Sequence, residues 1–429
     1  MPGIVVVGGQ WGDEGKGRVV DLVARKAHVV ARYSGGSNAG HTVVNQLGEF
    51  RLHLVPAGIF YSDKVCVIGN GAVIDPAVLL EEIQTLEERG VSVEKLHISN
   101  RCHIVMPYHP IIDRLDEELR GKAAIGTTGR GIGPCFVDKV GRSGIRMGDL
   151  IDPEAFRERL SFILPYKNAV LQKLYGHEPL SFDKVYAEYS ELAAKIAPFV
   201  ADTGELVQAA LDRGETVLME GAQGALLDLD SGTYEFVTSA APSSLAGGAS
   251  IGLGVGPTNI SKVVGVYKAY QTRVGNGPMP TELLDEMGET LRERGWEYGA
   301  TTGRPRRCGW FDAVAARYSA RLNGLTAVAL TRLDVLDGFP SIEVSTAYRL
   351  DGELTTLFPA ASHTLERCRP VYEELAGWQE ETSGVRRFED LPPAAKAYVQ
   401  RMQELIGCRI DLVSVGPERD QAIVINPII

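Results

Sequence analysis

Four aliphatic residues in a row, Ile4-Val5-Val6-Val7, run directly into Gly8-Gly-Gln-Trp-Gly-Asp-Glu-Gly-Lys-Gly17. An unbroken apolar run suits a strand buried on both faces, the setting found in parallel sheets covered by helices. The glycines that follow let the backbone approach an anion. A helix opening at about Lys16 adds converging N–H groups and partial positive charge. The segment departs from a standard P-loop in two ways. Five residues rather than four separate Gly9 from Gly15-Lys16, and Gly17 stands where Ser or Thr normally supplies a hydroxyl to Mg²⁺. A carboxylate, Asp13, sits inside the loop instead. Bound phosphates repel it unless it binds the metal or handles a proton, and both roles are enzymatic.

Further strand-like runs at His28–Arg32, Lys64–Ile68, Thr216–Met219, Lys262–Val266, Leu325–Leu330 and Ile410–Val415 alternate with helical patterns. Among the latter are Ala77–Glu88, opened by Asp75-Pro76, and Asp312–Leu322. Such alternation predicts an α/β fold: a large, mostly parallel central sheet flanked by helices. The nucleotide site is expected to be P-loop-like, of the G-protein kind, with helical insertions. No linker or repeat divides the 429 residues, so residues 1–429 read as one large catalytic domain, with 151–213 a helical excursion within it.

The net charge of −11 excludes a general nucleic-acid surface. No apolar stretch approaches the roughly 20 residues that span a bilayer, so no membrane role is expected and a cytoplasmic location is the simplest reading. Six scattered cysteines contain no C-x-x-C pair, which points away from zinc and redox chemistry.

Glycine-rich loops recur at the predicted strand ends. Gly35-Gly-Ser-Asn-Ala-Gly-His-Thr42 places His41, whose pKa lies near neutrality, beside a close-approach backbone. Ile125-Gly-Thr-Thr-Gly-Arg-Gly-Ile-Gly-Pro134 combines hydroxyls, glycines and an arginine, as a phosphate monoester site requires. Gly299-Ala-Thr-Thr-Gly-Arg-Pro-Arg-Arg307 repeats the Thr-Thr-Gly-Arg tetrad with two more arginines, which suits a dianionic or dicarboxylate ligand. Thr331-Arg-Leu-Asp334 ends a buried strand with a carboxylate able to accept from the N1–H and 2-amino groups of guanine. Glu220-Gly-Ala-Gln-Gly224 sets an amide side chain in a small-residue loop, where Gln223 can meet either a base edge or a phosphate.

Taken in order, these stretches resemble the adenylosuccinate synthetase family, and the octet Gln10-Trp-Gly-Asp-Glu-Gly-Lys-Gly17 is highly specific to it. The resemblance implies GTP-dependent joining of IMP and L-aspartate, with one Mg²⁺ per subunit, through a 6-phosphoryl-IMP intermediate in AMP biosynthesis and salvage. It makes Asp13 the base at IMP N1 and a metal ligand, with the Gly40 carbonyl as the second protein ligand. His41, Lys16 and Gln223 join Asp13 as catalytic residues. Gly12, Gly15, Lys16, Gly17, Gly40, His41 and Thr42 match the GTP phosphate site, and Arg332, Asp334, Ser414 and Gly416 the guanine pocket. Asp13, Asn38, Thr128, Arg142, Gln223, Thr238 and Arg304 match IMP-binding positions; Arg142 reaches the neighbouring subunit's site, which implies a homodimer. Thr302, Arg304 and Arg306 match the aspartate loop.

Three departures from the family pattern stand out. Arg332 replaces a common lysine, Pro305 replaces a frequent arginine, and Val237–Gly248 is two residues longer than usual. A GTP-binding switch and an inactive structural dimer are the competing readings. Asp13 in the phosphate loop and a second Thr-Thr-Gly-Arg loop favour the ligase over the switch, and intact Asp13, Lys16 and His41 favour it over the inactive dimer.

Overall fold

The computed structural model describes residues 3–38, 40–45, 47–299 and 303–429, without the side chains of residues 41, 42, 44 and 45. Ten strands form the central sheet: β1 (Gly3–Gly8), β2 (Val29–Arg32), β3 (Val65–Ile68), β4 (Leu96–Ser99), β5 (Val200–Ala201), β6 (Val217–Glu220), β7 (Ile260–Lys268), β8 (Ala327–Thr331), β9 (Ile410–Ser414) and β10 (Ala422–Val424). Their spatial order is β10-β9-β8-β7-β1-β6-β2-β3-β4-β5. Every pairing is parallel except the terminal β9–β10 hairpin. The α/β architecture with a largely parallel sheet is therefore as the sequence predicts.

The central position of β1 explains its composition. Ile4 and Val6 pack on one face against Val19, Val20 and Val23 of helix α1 (Lys16–Ala24). Val5 and Val7 pack on the other against Val207, Ala210 and Leu253. A strand buried on both faces has no place for alternating polar residues. In β8, Ala327 and Ala329 likewise face the first cluster, while Val328 and Leu330 face a separate core with Tyr398 and Met402 of the Pro393–Ile406 helix.

Residues 151–213 carry the helices Pro153–Tyr175, Phe182–Ile196 and Thr203–Asp212, and also edge strand β5. Asp75 and Asp152 cap their helices by accepting two backbone N–H groups each, with Pro at the first helical position. A side sheet has no counterpart in the sequence reading. Ser341–Leu350 pairs antiparallel with Arg369–Ala376 and Glu353–Thr355, and parallel with Phe311–Asp312. All six cysteines are free thiols, five of them buried. No helix among the described residues is long and apolar enough to cross a membrane.

Candidate active site

The parallel strands all deliver their carboxyl ends to one side of the sheet, where ligands bind in open α/β folds. β1 ends in the 8–17 loop, β6 in Gly221–Gly224, β8 at Thr331 and β9 at Ser414. Between them lies a cavity of about 530 Å³. Its walls include Gly12, Asp13, Gly15, Lys16, Gly17, Asn38, Gly40, Thr128, Gln223, Arg306 and Arg332.

The 8–17 loop is wound around its own carboxylate. Glu14 is fully buried; Oε1 accepts the N–H groups of Gln10 (3.0 Å) and Gly12 (2.9 Å), and Oε2 accepts from Lys16 Nζ (2.6 Å). The Gln10 side chain fastens the loop to the end of β7, accepting from Lys268 N (2.9 Å) and donating to the Tyr270 carbonyl (3.0 Å). Thr331 Oγ1 donates to the Glu14 carbonyl (2.6 Å). Gly15 precedes α1 with φ 86°, a conformation that glycine adopts without strain, and no side chain caps the helix. The first-turn amides of α1 thus remain available to an anion at the cavity.

Six described non-glycine residues have positive φ, and Asp13 (59°), Gln223 (55°), Trp296 (48°) and Arg332 (64°) line the cavity. Such backbone strain concentrates at functional sites. Some buried polar atoms without a partner lie there too: Trp11 Nε1, Asn38 Oδ1 and both polar atoms of Gln223 in the walls, with Asp334 Oδ1 beside them. Buried donors and acceptors are normally paired, so this group fits a polar ligand. Burial pushes the Asp334 carboxyl up, against the pull of Arg332.

Asp13 meets the second tetrad loop. Arg306 Nε donates to Asp13 Oδ2 (2.8 Å), while Arg306 Nη1 donates to Glu297 Oε2 (2.7 Å). Burial works against the Arg306 charge, but Asp13 and Glu297 more than offset it and raise its pKa. Arg304 is exposed at this loop, and its carbonyl accepts from Gly299 N (2.8 Å). Thr302 and the side chains of His41 and Thr42 lie outside the described residues.

Other predicted positions stand apart from the cavity wall. Thr238 is half-buried and donates its N–H to the Leu227 carbonyl (2.8 Å). Arg142 is exposed, with φ 60°, just beyond the Ile132–Val140 helix. Ser414 Oγ and the Gly416 carbonyl both accept from Arg18, which also donates to the Gln421 carbonyl (2.8 Å). Burial brings the Arg18 pKa down to about 10, with Asp334 opposing the shift. The sequence reading missed Arg18, Glu14 and Glu297. Glu14 lay within the diagnostic octet, but only the folded loop shows its amide partners.

The family resemblance drawn from the sequence also implies a divalent cation. Asp13 and Gly40 offer one carboxylate and one backbone carbonyl on the same cavity. Among the described residues, no group of three or more His, Cys, Asp or Glu could cage a metal. An oxygen-only donor pair suits Mg²⁺, which keeps waters and binds through substrate phosphates.

The sequence matches the family model described as adenylosuccinate synthetase over residues 5–423. It is 54% identical over 423 residues to the adenylosuccinate synthetase of Heliobacterium modesticaldum, covering 99% of each chain. It is 55% identical over 424 residues to that of Desulfitobacterium hafniense, again covering 99% of each. A fully ligated adenylosuccinate synthetase from Plasmodium falciparum superimposes with a TM-score of 0.92 at 38% identity, covering 98% of this chain and 99% of that one.

Proposed function

The chain belongs to the adenylosuccinate synthetase family, and from that premise we propose that it joins IMP to L-aspartate at the expense of GTP. The observation that carries the reading is the 2.8 Å contact between Asp13 and Arg306. It brings the carboxylate of a phosphate loop against the guanidinium of a second anion loop, a pairing that a nucleotide switch does not need.

In this reading Asp13 takes the N1 proton of IMP, and the pair of electrons left on the base makes O6 nucleophilic. O6 then attacks the γ-phosphorus and GDP leaves, giving 6-phosphoryl-IMP. Phosphoryl transfer is governed by positioning and charge neutralisation. Lys16 and the backbone of Gly12, Gly15, Gly17 and Thr42 hold the phosphates, and His41 donates a hydrogen bond at the transferred group. Asp13 and Gly40 would hold Mg²⁺, whose contribution when bound is to neutralise phosphate charge. Arg332, Asp334, Ser414 and Gly416 receive guanine, and Arg18 moves off Ser414 and Gly416 to admit it. Asn38, Thr128, Gln223, Thr238 and Arg304 hold IMP. Thr302, Arg304 and Arg306 take the aspartate carboxylates, and the aspartate amine displaces phosphate at C6. In the same reading the enzyme serves both synthesis and salvage of AMP and works in the cytoplasm.

The experiment is a three-substrate assay that detects adenylosuccinate directly. Product and GTP consumption are expected only with GTP, IMP and aspartate together; GTP hydrolysis at a similar rate without IMP overturns the ligase reading. The exposed Arg142 is assigned to the IMP phosphate of a second subunit. Arg142→Leu mixed with Asp13→Ala is expected to recover activity in hybrid dimers, and no recovery removes the shared site.

A further inference from the structure

We infer that Glu297 is a positioning residue for amino-acid recognition, holding the Arg306 guanidinium in place for a dicarboxylate. The assignment rests on the ligase reading, in which Arg306 takes an aspartate carboxylate. Glu297 is fully buried and both of its oxygens are engaged. Oε1 accepts from Lys268 Nζ (2.7 Å) and from the Tyr270 hydroxyl; Oε2 accepts from Lys268 Nζ (2.8 Å) and Arg306 Nη1 (2.7 Å). Lys268 is itself buried and also donates to Thr272 Oγ1 (2.7 Å). The backbone repeats the link, since Arg306 N donates to the Glu297 carbonyl (2.8 Å).

This arrangement constrains Arg306 to a single geometry. Nε points at Asp13 and Nη1 at Glu297, while Nη2 makes no hydrogen bond among the described residues. A guanidinium fork has five donors, so Arg306 keeps N–H groups for a ligand while its plane is held by two carboxylates. The rotamer freedom of a long side chain is then surrendered on folding and not on binding, which strengthens recognition. Lys268 is the last residue of β7, and its backbone N–H donates to Gln10 of the phosphate loop. One strand end therefore sets both the phosphate loop and the arginine that reads the amino acid.

The ion pair is buried, so removing one charge strands the other. Two variants are therefore compared: Glu297→Gln, and the double variant Lys268→Met with Glu297→Gln, which removes the stranded ammonium. Steady-state constants for all three substrates are measured beside melting temperatures. In both variants the KM for aspartate is expected to rise at least about tenfold, with KM for IMP and GTP within about twofold, since one charge-assisted bond to Arg306 is lost. Unchanged aspartate KM in a folded double variant, or equal movement of all three constants, overturns the Glu297 assignment alone. A wild-type enzyme that forms no adenylosuccinate overturns the ligase reading and, with it, this role.

Discussion

Thr-Thr-Gly-Arg occurs twice in this chain, at residues 127–130 and 301–304, and among the described residues the carboxylates near the two copies engage different groups. In the first loop a carboxylate behind the turn takes the backbone. Glu117 accepts the N–H groups of Ile125 (3.1 Å), Gly126 (2.7 Å) and Thr127 (3.0 Å), and Thr128 is left at the cavity wall. In the second loop a carboxylate takes a side chain, as Glu297 and Asp13 share Arg306. The carboxylate beside each loop acts on a different group: Glu117 fixes backbone N–H groups of the first loop, whereas Glu297 and Asp13 fix a guanidinium two residues beyond the second tetrad.

Four measurements can break or sharpen this contrast. Arg306→Leu should cause the largest change, lowering kcat/KM for aspartate by on the order of 10²-fold or more, because charged hydrogen bonds contribute about 1.5–3 kcal/mol each. IMP affinity, read by calorimetry, should change little. Thr128→Ala removes a neutral hydroxyl and should raise KM for IMP by about 3–10-fold, leaving aspartate alone. If both variants move the same substrate constant, the two loops are not separate readers and the contrast collapses.

The third measurement concerns acid. Burial drives the Glu297 carboxyl up, but Lys268, Arg306 and Arg332 outweigh it and hold it at about 2. A folded pKa below the unfolded one means that the unfolded state binds more protons, so stability rises with pH across that window. The Glu297 contribution is complete above about 4.5 and disappears as pH falls toward 2. The melting temperature of wild type, minus that of the Lys268→Met, Glu297→Gln variant, should hold steady from neutral pH to about 5 and fall below it. A difference that stays flat to pH 3 would show that Glu297 carries no such charge coupling. The smallest effect belongs to Glu117→Gln, with faster hydrogen exchange at the amides of 125–127 and a stability change under about 1 kcal/mol. Unaltered exchange would show that Glu117 does not shape its loop.

Much of the sheet was legible because its strands are buried on both faces, which forces continuous apolar runs such as Ile4–Val7. The Ser341–Leu350 and Arg369–Ala376 pair escaped notice for the converse reason. Only one face is buried, by Ile342, Val344 and Tyr348, while Glu343, Arg349, Arg369, Glu373 and Glu374 interrupt any continuous apolar run, and an irregularity at Ser345–Ala347 breaks the register. Strands β5 and β10, two and three residues long, are too short to leave a periodic signal. The glycine-rich loops announced where a ligand meets backbone. The acids behind them did not announce themselves, because Glu297 gains its meaning from Lys268, 29 residues away, and Glu14 from a turn that exists only once folded. Arg18 was read as part of a helix, while its partners lie about 400 positions further along.

The place of β1 between β6 and β7 has a consequence for how the polypeptide is made. Gly3 pairs with Val217 on one side and Ile260 on the other, so β1 has no sheet neighbour until more than 200 further residues have been made. At synthesis rates of about 5–20 residues per second, that delay is roughly 10–40 s. Throughout it, the Ile4–Val7 run is an unpaired apolar edge, the kind of segment that seeds aggregation. Nascent chains stopped before residue 217 should therefore depend on holding chaperones for solubility, and chains extended past β7 should not.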